Sequence, residues 1–520
     1  MESLFRSFDQ NGDQRISRKE AGDARFFERA DRNANGFVTQ CEAGMFVQRQ
    51  RETASNPDLS QPVFPADPAA IVSKNTTLKQ IPRVTEREQR PPNLVLILAD
   101  DLGYADTGAY GSRAIPTPHI DALAKTGVKF TAAYVTAGTC SPSRAGLMSG
   151  RYQQRFGFEF NTSGGAITHR LHRGLAPGVI TLPDVLRRAG YATGMFGKWH
   201  LGTQPQFHPQ VRGFDEFYGF LAGAHSFFPV SQEQPIHSTL LRGNKPLKEP
   251  AYLTDAIARE AIRFIDSRAG QPFFAYIPFN AVHTPIQATR KYQDRFRNIQ
   301  NETRRDYYAM TSALDDAVGA IVAAIERNQL TDTTLVIFLN DNGGPIYTGV
   351  QSNAPLRLGK LFLFEGGIRV PMVMKWPGVL PANQVFPGIT SSLDVFPTIC
   401  AAAGITLPDD LPLDGVNLIP LLCGRTAGPP HETLFWSNGP NSAIRHLQWK
   451  LVVSGNSRWL FDLTADPGEN NNLADTQPQK IRQLEALLEA WRQQLLPPAW
   501  PSKPQRRKVT VDGQVYELNI

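Results

Sequence analysis

The segment Asn93-Leu-Val-Leu-Ile-Leu-Ala-Asp-Asp101 sets the architecture of this chain, because six consecutive apolar residues run directly into two carboxylates. A continuous apolar run of this length predicts a strand that is buried on both faces. Similar runs lie at 192–196, 273–279 and 335–339, and helical patterns lie at 119–126, 181–188, 253–266 and 306–328. Strands that alternate with amphipathic helices predict an α/β fold with a mainly parallel sheet covered by helices on both faces.

The regions that flank this pattern differ from it in composition and in the spacing of their apolar residues. Residues 1–48 are predicted to form a small module of calcium loops. Residues 49–91 are rich in Pro, Ser, Thr and Asn without a sustained period, and they are predicted to form a linker. Residues 92–430 are predicted to form the main domain. Short alternating runs and a helical pattern at 480–496 predict a smaller C-terminal α+β subdomain over residues 431–520.

Composition and charge exclude several classes of function. The 520 residues include 54 basic and 48 acidic side chains, which gives a net charge of +6. Because this excess is dilute and includes no run of five basic residues, we expect no nucleic acid partner. The first apolar run is far too short to cross a bilayer, so we expect no membrane span.

The start of the numbered chain lacks the basic, apolar and small-residue pattern of a signal peptide. The protein is therefore either cytoplasmic, or secreted or periplasmic with its leader absent from the numbered chain. Calcium loops of the kind described below suit millimolar calcium, which favours the second interpretation. A cytoplasmic location stays open.

Carboxylate and amide side chains follow two of the predicted strands. Asp100 and Asp101 end the first strand, and Asp341 and Asn342 lie just beyond the strand at 335–339. Sites collect at the carboxyl ends of strands in such sheets, and adjacent carboxylates repel unless a cation neutralises them. Oxygen ligands of this kind suit Ca²⁺ or Mg²⁺. Either segment alone is better explained as a turn that ends a strand, whereas the two segments together support a cation site and a pair of turns equally well.

A cysteine lies at a predicted helix start, in the segment Thr139-Cys140-Ser-Pro-Ser-Arg144. Pro142 favours the first turn of a helix, which places Cys140 at the helix N-terminus. That position lowers the pKa of a thiol and attracts anions. A lone cysteine by itself is more often a small buried apolar residue.

This cysteine turn, followed by Leu147-Met-Ser-Gly150, resembles the signature of the type I sulfatases in the alkaline phosphatase superfamily. Further motifs similar to that family follow in the same order: Asn93 to Tyr104, Gly197-Lys-Trp-His-Leu-Gly202, His283-Thr-Pro285, Asp341-Asn-Gly-Gly344, Gly359-Lys360, Glu365-Gly-Gly-Ile-Arg-Val-Pro371 and Asp466-Pro-Gly-Glu469. The resemblance implies an alkaline phosphatase-like α/β fold, in which helices sandwich a large, mostly parallel sheet beside a smaller C-terminal subdomain. It also implies hydrolysis of sulfate esters.

The same resemblance implies a modified residue and a metal ion. Cys140 would be oxidised by a formylglycine-generating maturation enzyme, and the hydrated aldehyde would contact a divalent cation, usually Ca²⁺ with Mg²⁺ also possible. The implied metal ligands are Asp100, Asp101, Cys140, Asp341 and Asn342. The implied catalytic residues are Cys140, Arg144, Lys198, His200, His283 and Lys360.

The residue types suit the reaction that the resemblance implies. A sulfate ester is an anion that repels nucleophiles, so the metal ion, Lys198 and Lys360 would supply positive charge. One hydroxyl of the hydrated aldehyde would attack sulfur while His283, with Lys360, protonates the leaving oxygen. His200 would take the proton of the second hydroxyl so that sulfate is released. Arg144 would hold the turn in place.

Three functions are compatible with the sequence. The first is a sulfatase, and the second is a formylglycine-dependent phosphodiester or phosphonate-ester hydrolase, which shares the cysteine turn. The third is a catalytically inactive calcium-dependent binding protein with an unmodified cysteine. The length of the match favours sulfate esters. The run at 213–219 and the Lys360 segment resemble carbohydrate sulfatases of the N-acetylgalactosamine-6-sulfatase kind. We therefore expect a sulfated carbohydrate as the substrate. Bulky Leu361 and Phe362 depart from the family pattern, in which small residues often follow the lysine.

Two twelve-residue segments near the N-terminus match the calcium loops of EF-hands and are similar to dockerin-type pairs. The second loop has Gly36 at its sixth position, where the first has Gln14. The predicted ligand positions are Asp9, Asn11, Asp13, Arg15, Ser17 and Glu20 in the first loop, and Asp31, Asn33, Asn35, Phe37, Thr39 and Glu42 in the second. We expect this module to bind Ca²⁺ in a structural or tethering role.

Overall fold

A computed structural model of the chain describes residues 15–17, 37–39, 67–84, 90–162, 173–230, 239–502 and 507–518. The chain divides into two units. The smaller is formed largely by residues 1–63, and the larger by residues 64–164 and 172–520.

The predicted first strand, Asn93–Ala99, lies near the centre of a ten-stranded sheet in the larger unit. Five neighbouring strands are parallel, in the order Thr334–Asn340, Asn93–Ala99, Phe273–Pro278, Ala192–Lys198 and Glu216–Phe220. Antiparallel pairings begin outside them, with Met372–Lys375 and Val128–Phe130 at one edge and Leu241–Arg242 and Lys245–Pro246 at the other. The outermost strand at the first edge, Gln384–Phe386, pairs parallel with Val128–Phe130. The sheet is therefore parallel at its centre and mixed at its edges.

Helices cover both faces of this sheet. Alternate side chains of the first strand point to opposite faces, and because those of residues 94–99 are all apolar, both faces must be covered. Leu94, Leu96 and Leu98 enter one apolar core, whereas Val95, Ile97 and Ala99 enter the other. The helices of the first face are Cys140–Ser149, Leu182–Arg188 and Val395–Ala402, and those of the second are Pro118–Thr126, Leu253–Arg268 and Glu302–Arg327. Three single-turn helices are Arg290–Gln293, Glu365–Ile368 and Ile419–Leu422. The prediction of a sheet sandwiched by helices is confirmed.

The long helix Glu302–Arg327 begins four residues before the predicted position. The side chain of Asn301 accepts a hydrogen bond from the backbone N–H of Arg304, and this cap defines the helix start. Among the described residues this helix alone has the length and composition of a membrane span, but 67% of its apolar window is buried inside the fold. The helix is therefore part of the core of the second face.

A helix, Pro68–Lys79, lies within the predicted linker of residues 49–91. Asp67 caps its first turn, and buried Lys74 places its Nζ 2.5 Å from Oδ2 of Asp184. Because polar contacts rather than an apolar stripe hold this helix, hydrophobic periodicity could not reveal it. The prediction of a linker is wrong for this stretch.

The C-terminal region forms a separate antiparallel sheet within the larger unit. Its strands are Thr433–Asn438, Asn441–His446, Trp449–Ser454 and Ser457–Asp462. The helix Pro478–Arg492 follows, and a hairpin of Arg507–Val511 and Gln514–Leu518 ends the described chain.

In the smaller unit, the strands Arg15–Ser17 and Phe37–Thr39 pair antiparallel, with Ile16 opposite Val38. These strands occupy the seventh to ninth positions of the two predicted calcium loops. The other predicted ligand positions lie outside the described residues: Asp9, Asn11, Asp13, Glu20, Asp31, Asn33, Asn35 and Glu42.

Candidate active site

The carboxyl ends of two neighbouring parallel strands bring together the acidic residues that follow them. Asn340 pairs with Ala99 at the last register position of the two strands. The backbone N–H of Asp101 donates to Oδ1 of Asp341 at 3.4 Å. Asp100, Asp101 and Asp341 are each at most 1% exposed, so three carboxylates share a buried site.

Each of the three carboxylates has its own cation. The three contacts are Lys198 Nζ to Asp100 Oδ2 at 2.6 Å, Lys360 Nζ to Asp101 Oδ2 at 2.7 Å, and Arg144 Nε to Asp341 Oδ2 at 2.8 Å. Arg144 is fully buried and also donates to the backbone oxygen of Lys198 at 2.8 Å. The side chains of the site therefore carry equal numbers of positive and negative charges.

Burial and the neighbouring charges act differently on the three carboxylates. Burial, reinforced by Asp100, raises the pKa of Asp341 to about 6, although Arg144 opposes this shift. Burial would also raise the pKa of Asp101, but the ammonium of Lys360, with His283 and Lys198, lowers it to about 2. Asp101 is therefore ionised throughout the neutral range and holds Lys360 in place.

Cys140 is the first residue of the helix Cys140–Ser149, and its Sγ lies 3.7 Å from Oδ1 of Asp100. The expectation that a helix N-terminus lowers the pKa of this thiol is wrong. Burial raises the pKa of Cys140 to about 12, although Lys198 and Lys360 act in the opposite direction. An unmodified thiol here is protonated at neutral pH and is a weak nucleophile.

Two histidines lie beside this cluster. Nε2 of His283 is 3.6 Å from Oδ2 of Asp101, and its Nδ1 is 2.6 Å from the backbone oxygen of Thr284. Burial, followed by Lys360, lowers the pKa of His283 to about 3. Burial, followed by Lys198, also holds the pKa of His200 well below its usual value. Both imidazoles are therefore neutral at physiological pH, and Nδ1 of His200 is buried without a hydrogen-bond partner.

Close backbone packing positions the segment that carries Lys198 and His200. Gly197 has φ 135°, and a Cβ at this position would lie 1.9 Å from the backbone oxygen of Pro278, so only glycine allows the approach. The backbone oxygen of His200 accepts a hydrogen bond from Oγ of Ser141 at 2.5 Å. The histidine turn is thereby tied to the first turn of the cysteine helix.

The donor set fits a hard divalent cation. Nδ2 of Asn342 donates to Oδ1 of Asp101 at 2.7 Å, whereas its Oδ1 is buried without a hydrogen-bond partner. An orphaned amide oxygen beside buried carboxylates is what a Ca²⁺ or Mg²⁺ site needs. Ligand atoms of Asp100, Asp101, Cys140 and His283 lie within 4.8 Å of one another, so His283 joins a group that the sequence analysis assigned to oxygen ligands.

The sequence analysis missed Asn353, which connects the loops of the site. Its Oδ1 accepts from the backbone N–H groups of Tyr104 at 3.2 Å and of Gly344 at 2.9 Å. Its Nδ2 donates to the backbone oxygens of Gly344 at 2.8 Å and of Leu358 at 2.9 Å. The loops that carry Asp101, Asn342 and Lys360 are thus held together by one amide. Its only sequence signal is an Asn near a proline, which indicates no more than a turn.

Comparisons with known proteins agree with this geometry. A family model described as Sulfatase matches residues 92–405. A second model, described as N-sulphoglucosamine sulphohydrolase, C-terminal, matches residues 358–494.

Individual relatives cover most of the same region. N-acetylgalactosamine-6-sulfatase of Homo sapiens is 35% identical over 362 residues, which cover 66% of this chain and 68% of that protein. Arylsulfatase A of Homo sapiens is 33% identical over 458 residues, with 76% of this chain and 87% of that protein covered. The crystal structure of Ps i-CgsB superposes with a TM-score of 0.74 at 37% identity and covers 79% of this chain and 95% of that one. A second structure of Ps i-CgsB contains k-i-k-neocarrahexaose.

Proposed function

The chain belongs to the sulfatase family, whose enzymes hydrolyse sulfate esters, and we propose that this member removes sulfate from a sulfated carbohydrate with formylglycine at position 140 and a bound Ca²⁺. The observation that carries the proposal is the surroundings of Cys140. A buried, weakly acidic thiol lies 3.7 Å from Asp100, beside Lys198 and Lys360. Such a residue gains its reactivity from modification rather than from ionisation.

The charge balance of the site supports the metal part of the proposal. Three buried carboxylates face three cations, so the side chains alone offer a sulfate anion little net attraction. A bound divalent cation would supply the missing positive charge at the sulfate oxygens. The residues that would hold it are Asp100, Asp101, Asp341 and Asn342. The orphaned Oδ1 of Asn342 supports this assignment.

Formylglycine, when hydrated, supplies two hydroxyl groups on one carbon, of which one attacks sulfur and the other allows the sulfate to leave. The protein would orient this group through Arg144, which bridges Asp341 and the backbone oxygen of Lys198. Lys198 and Lys360 would bind the sulfate oxygens from two directions. Both ammonium groups are already buried, each within 2.7 Å of a carboxylate, so no cation has to be moved into the interior when the substrate binds.

The two histidines would serve different half-reactions. His283 and Lys360 share Asp101, with contacts of 3.6 Å and 2.7 Å, so they form a joint proton donor for the leaving oxygen. The pKa of His283 is about 3 in the free site, and a bound sulfate anion would raise it towards the working range. His200, neutral and with a buried Nδ1 that has no partner, would accept the proton that accompanies sulfate release.

Sugar substrates are supported by the relatives. One relative is named for N-acetylgalactosamine, and a relative of known structure binds k-i-k-neocarrahexaose. The two relatives from Homo sapiens described above are both named as sulfatases, and neither favours the phosphodiester alternative. We therefore propose a sulfated glycan as the substrate.

A two-part experiment tests this function. Mass spectrometry of the tryptic peptide that ends at Arg144 should show an aldehyde at position 140 in enzyme from the native host. A substrate panel should contain N-acetylgalactosamine 6-sulfate, k-i-k-neocarrahexaose, 4-nitrophenyl sulfate and bis(4-nitrophenyl) phosphate. We expect faster release of sulfate from a sugar than hydrolysis of the phosphate diester. A fully active enzyme that carries only the thiol would contradict the modification, and a preference for the diester would contradict the sulfatase mechanism.

For the N-terminal module we propose two Ca²⁺ sites. The pairing of the seventh to ninth residues of both loops, with the eighth residues opposite each other, supports this proposal because it relates the two loops symmetrically. Calorimetric titration of the full chain should show one fewer Ca²⁺ after Glu20→Gln or after Glu42→Gln. An unchanged stoichiometry would contradict the assignment.

We also propose a periplasmic or secreted location, which cell fractionation would test.

A further inference from the structure

Tyr347 is the one large aromatic residue among the described parts of the chain whose side chain is strongly exposed. It is 63% exposed, and the adjacent Ile346 is 41% exposed. The other Phe, Tyr and Trp residues that the structure describes are buried or half-buried. A contiguous exposed apolar pair of this kind marks a contact surface more often than a scattered single residue does.

This pair lies beside the active site. It belongs to the single turn Ile346–Thr348, which follows the strand end that carries Asp341. The backbone N–H of Lys360 donates to the oxygen of Gly344 at 3.2 Å. Cγ2 of Ile346 would lie 3.2 Å from a Cβ placed on Gly359, so the turn packs directly on the residue before Lys360.

The electrostatic environment of Lys360 agrees with this placement. Burial would lower the pKa of Lys360, but Asp101 and then Cys140 raise it well above its usual value, and Tyr347 acts in the same direction. Tyr347 is thus within electrostatic range of the Lys360 ammonium group, which lies 2.7 Å from Asp101. The exposed pair of Ile346 and Tyr347 therefore lies next to the segment that carries Lys360.

The turn is held rigidly. The backbone N–H of Gly349 donates to the oxygen of Ile346 at 3.1 Å, and Oγ1 of Thr348 donates to the oxygen of Pro345 at 2.9 Å. Asn353 binds both the N–H and the oxygen of Gly344 at the start of the segment. An exposed aromatic ring on a fixed turn loses little entropy when it binds a ligand, because its backbone is already ordered.

We propose that Tyr347, supported by Ile346, is a stacking platform for the sugar ring that carries the sulfate ester or for the ring next to it. This inference rests on the proposed carbohydrate substrate. A pyranose has one face rich in C–H groups, which packs on an aromatic ring, while its hydroxyls remain in solvent. The sulfate would be held by the buried cations. The sugar ring of the bound substrate would extend past Lys360 and lie against Tyr347.

Steady-state kinetics on the sugar sulfate of the panel that is cleaved fastest would test this role. Tyr347→Ala should raise KM about tenfold and change kcat by less than about twofold, because the ring contributes to binding and not to the chemical step. Tyr347→Phe should keep KM within about twofold of the wild-type value, since it retains the ring. Leu447→Ala, at another exposed apolar residue in the C-terminal sheet, is the matched control and should leave KM unchanged.

Several outcomes would overturn the platform. The first is an unchanged KM in Tyr347→Ala, and the second is a KM raised as much in Tyr347→Phe as in Tyr347→Ala. The third is a loss confined to kcat, which would mean that the Tyr347 hydroxyl supports Lys360 instead. If the wild type cleaves sulfated sugars and the variants behave normally, only the platform fails. If the wild type releases sulfate from 4-nitrophenyl sulfate and from no sugar of the panel, the carbohydrate assignment fails together with the platform.

Discussion

Two buried clusters of charge lie in the larger unit, and they differ in the groups that lie beside the paired charges. The active-site cluster joins Asp100, Asp101 and Asp341 with Arg144, Lys198 and Lys360. The second, the Glu365 cluster, joins Glu365 and Glu469 with Lys450, Arg369 and Tyr134. Both are almost completely buried, so burial alone does not identify the site of chemistry.

In the Glu365 cluster the polar groups pair with one another. Nζ of Lys450 lies 2.9 Å from Oε1 of Glu365 and 2.9 Å from Oε1 of Glu469. The backbone N–H of Glu365 donates to Oε2 of Glu469 at 2.7 Å, and Tyr134 donates to Glu365 at 2.6 Å. Its role is to join the catalytic sheet to the C-terminal sheet.

Beside the charges of the active-site cluster lie groups that can receive a proton or a metal ion, among them Oδ1 of Asn342 and Nδ1 of His200, which have no hydrogen-bond partner. Both are buried, and both lie where a ligand or a proton would be received. The comparison teaches that the thiol, imidazole and amide groups beside the charges, more than charge or burial, separate a site for chemistry from a site for stability. The following predictions test this distinction, from the largest expected effect to the smallest.

Cys140→Ala should abolish sulfatase activity, by a factor on the order of 10⁵, because it removes the nucleophile. The melting temperature should change by less than about 4 °C, since a small side chain is replaced by a slightly smaller one. Activity assays and thermal unfolding of the same preparation would measure both quantities. Activity above about one hundredth of the wild-type value would show that position 140 is not the nucleophile.

Removal of divalent cations should reduce activity at least about a hundredfold, because the carboxylates would then face the sulfate without the metal charge. Addition of Ca²⁺ or Mg²⁺ should restore activity. The Glu42→Gln variant, altered only in the N-terminal loops, should respond to the chelator as the wild type does. Full activity in the metal-free enzyme, checked by elemental analysis, would refute the metal assignment.

His283→Ala should slow hydrolysis of sugar sulfates by about 10²- to 10⁴-fold, because their alkoxide leaving groups need a proton. The effect on 4-nitrophenyl sulfate should be smaller, since nitrophenolate leaves without help. The measurement is the ratio of kcat/KM for the two substrates. An equal loss on both would remove His283 from the role of proton donor.

His200→Ala should impair a step after ester cleavage. Rapid-mixing experiments with 4-nitrophenyl sulfate should therefore show a burst of about one nitrophenolate per enzyme followed by slow turnover. The wild type provides the comparison trace. The absence of a burst, with turnover equally reduced, would assign His200 to the first half-reaction.

Lys450→Met should destabilise the protein by about 3–5 kcal/mol, because it leaves Glu365 and Glu469 buried with one cation fewer. The kcat of the molecules that remain folded should not change, since the side chains of this cluster pair with one another and not with the charges of the active-site cluster. Chemical denaturation would measure the loss. The double variant Lys450→Met/Glu469→Leu should recover part of it, and a double variant less stable than Lys450→Met alone would contradict the coupling.

The pH dependence of stability should differ between wild type and Glu469→Gln. Burial, opposed by Lys450, raises the pKa of Glu469 to about 7. A raised carboxyl pKa gives stability that is present below the unfolded-state pKa and is lost as the pH rises through about 7. From pH 5 to pH 8 the wild type should therefore lose about 1–3 kcal/mol more than the variant. Equal slopes in thermal or chemical unfolding would place the pKa of Glu469 near its ordinary value.

The local pattern of the sequence determined the elements that carry the site. The apolar run at 94–99 and the acidic pair after it predicted both the central strand and the position of the carboxylates. The cysteine turn predicted the start of the helix Cys140–Ser149 to within a residue. Such features can be read from sequence because neighbouring residues along the chain produce them, through the periods of strand and helix and through turn chemistry.

Tertiary structure alone decided the features that depend on residues far apart in the chain. The pKa of Cys140 follows from its burial, against the expectation from its helix position. Lys74 contacts Asp184, 110 residues away, and so stabilises a helix that has no apolar stripe. Lys450 and Glu365, 85 residues apart, neutralise each other in the interior. Burial and charge pairing depend on three-dimensional proximity, which no local period encodes, and for this reason the exposed position of Tyr347 beside Lys360 appears only in the folded molecule.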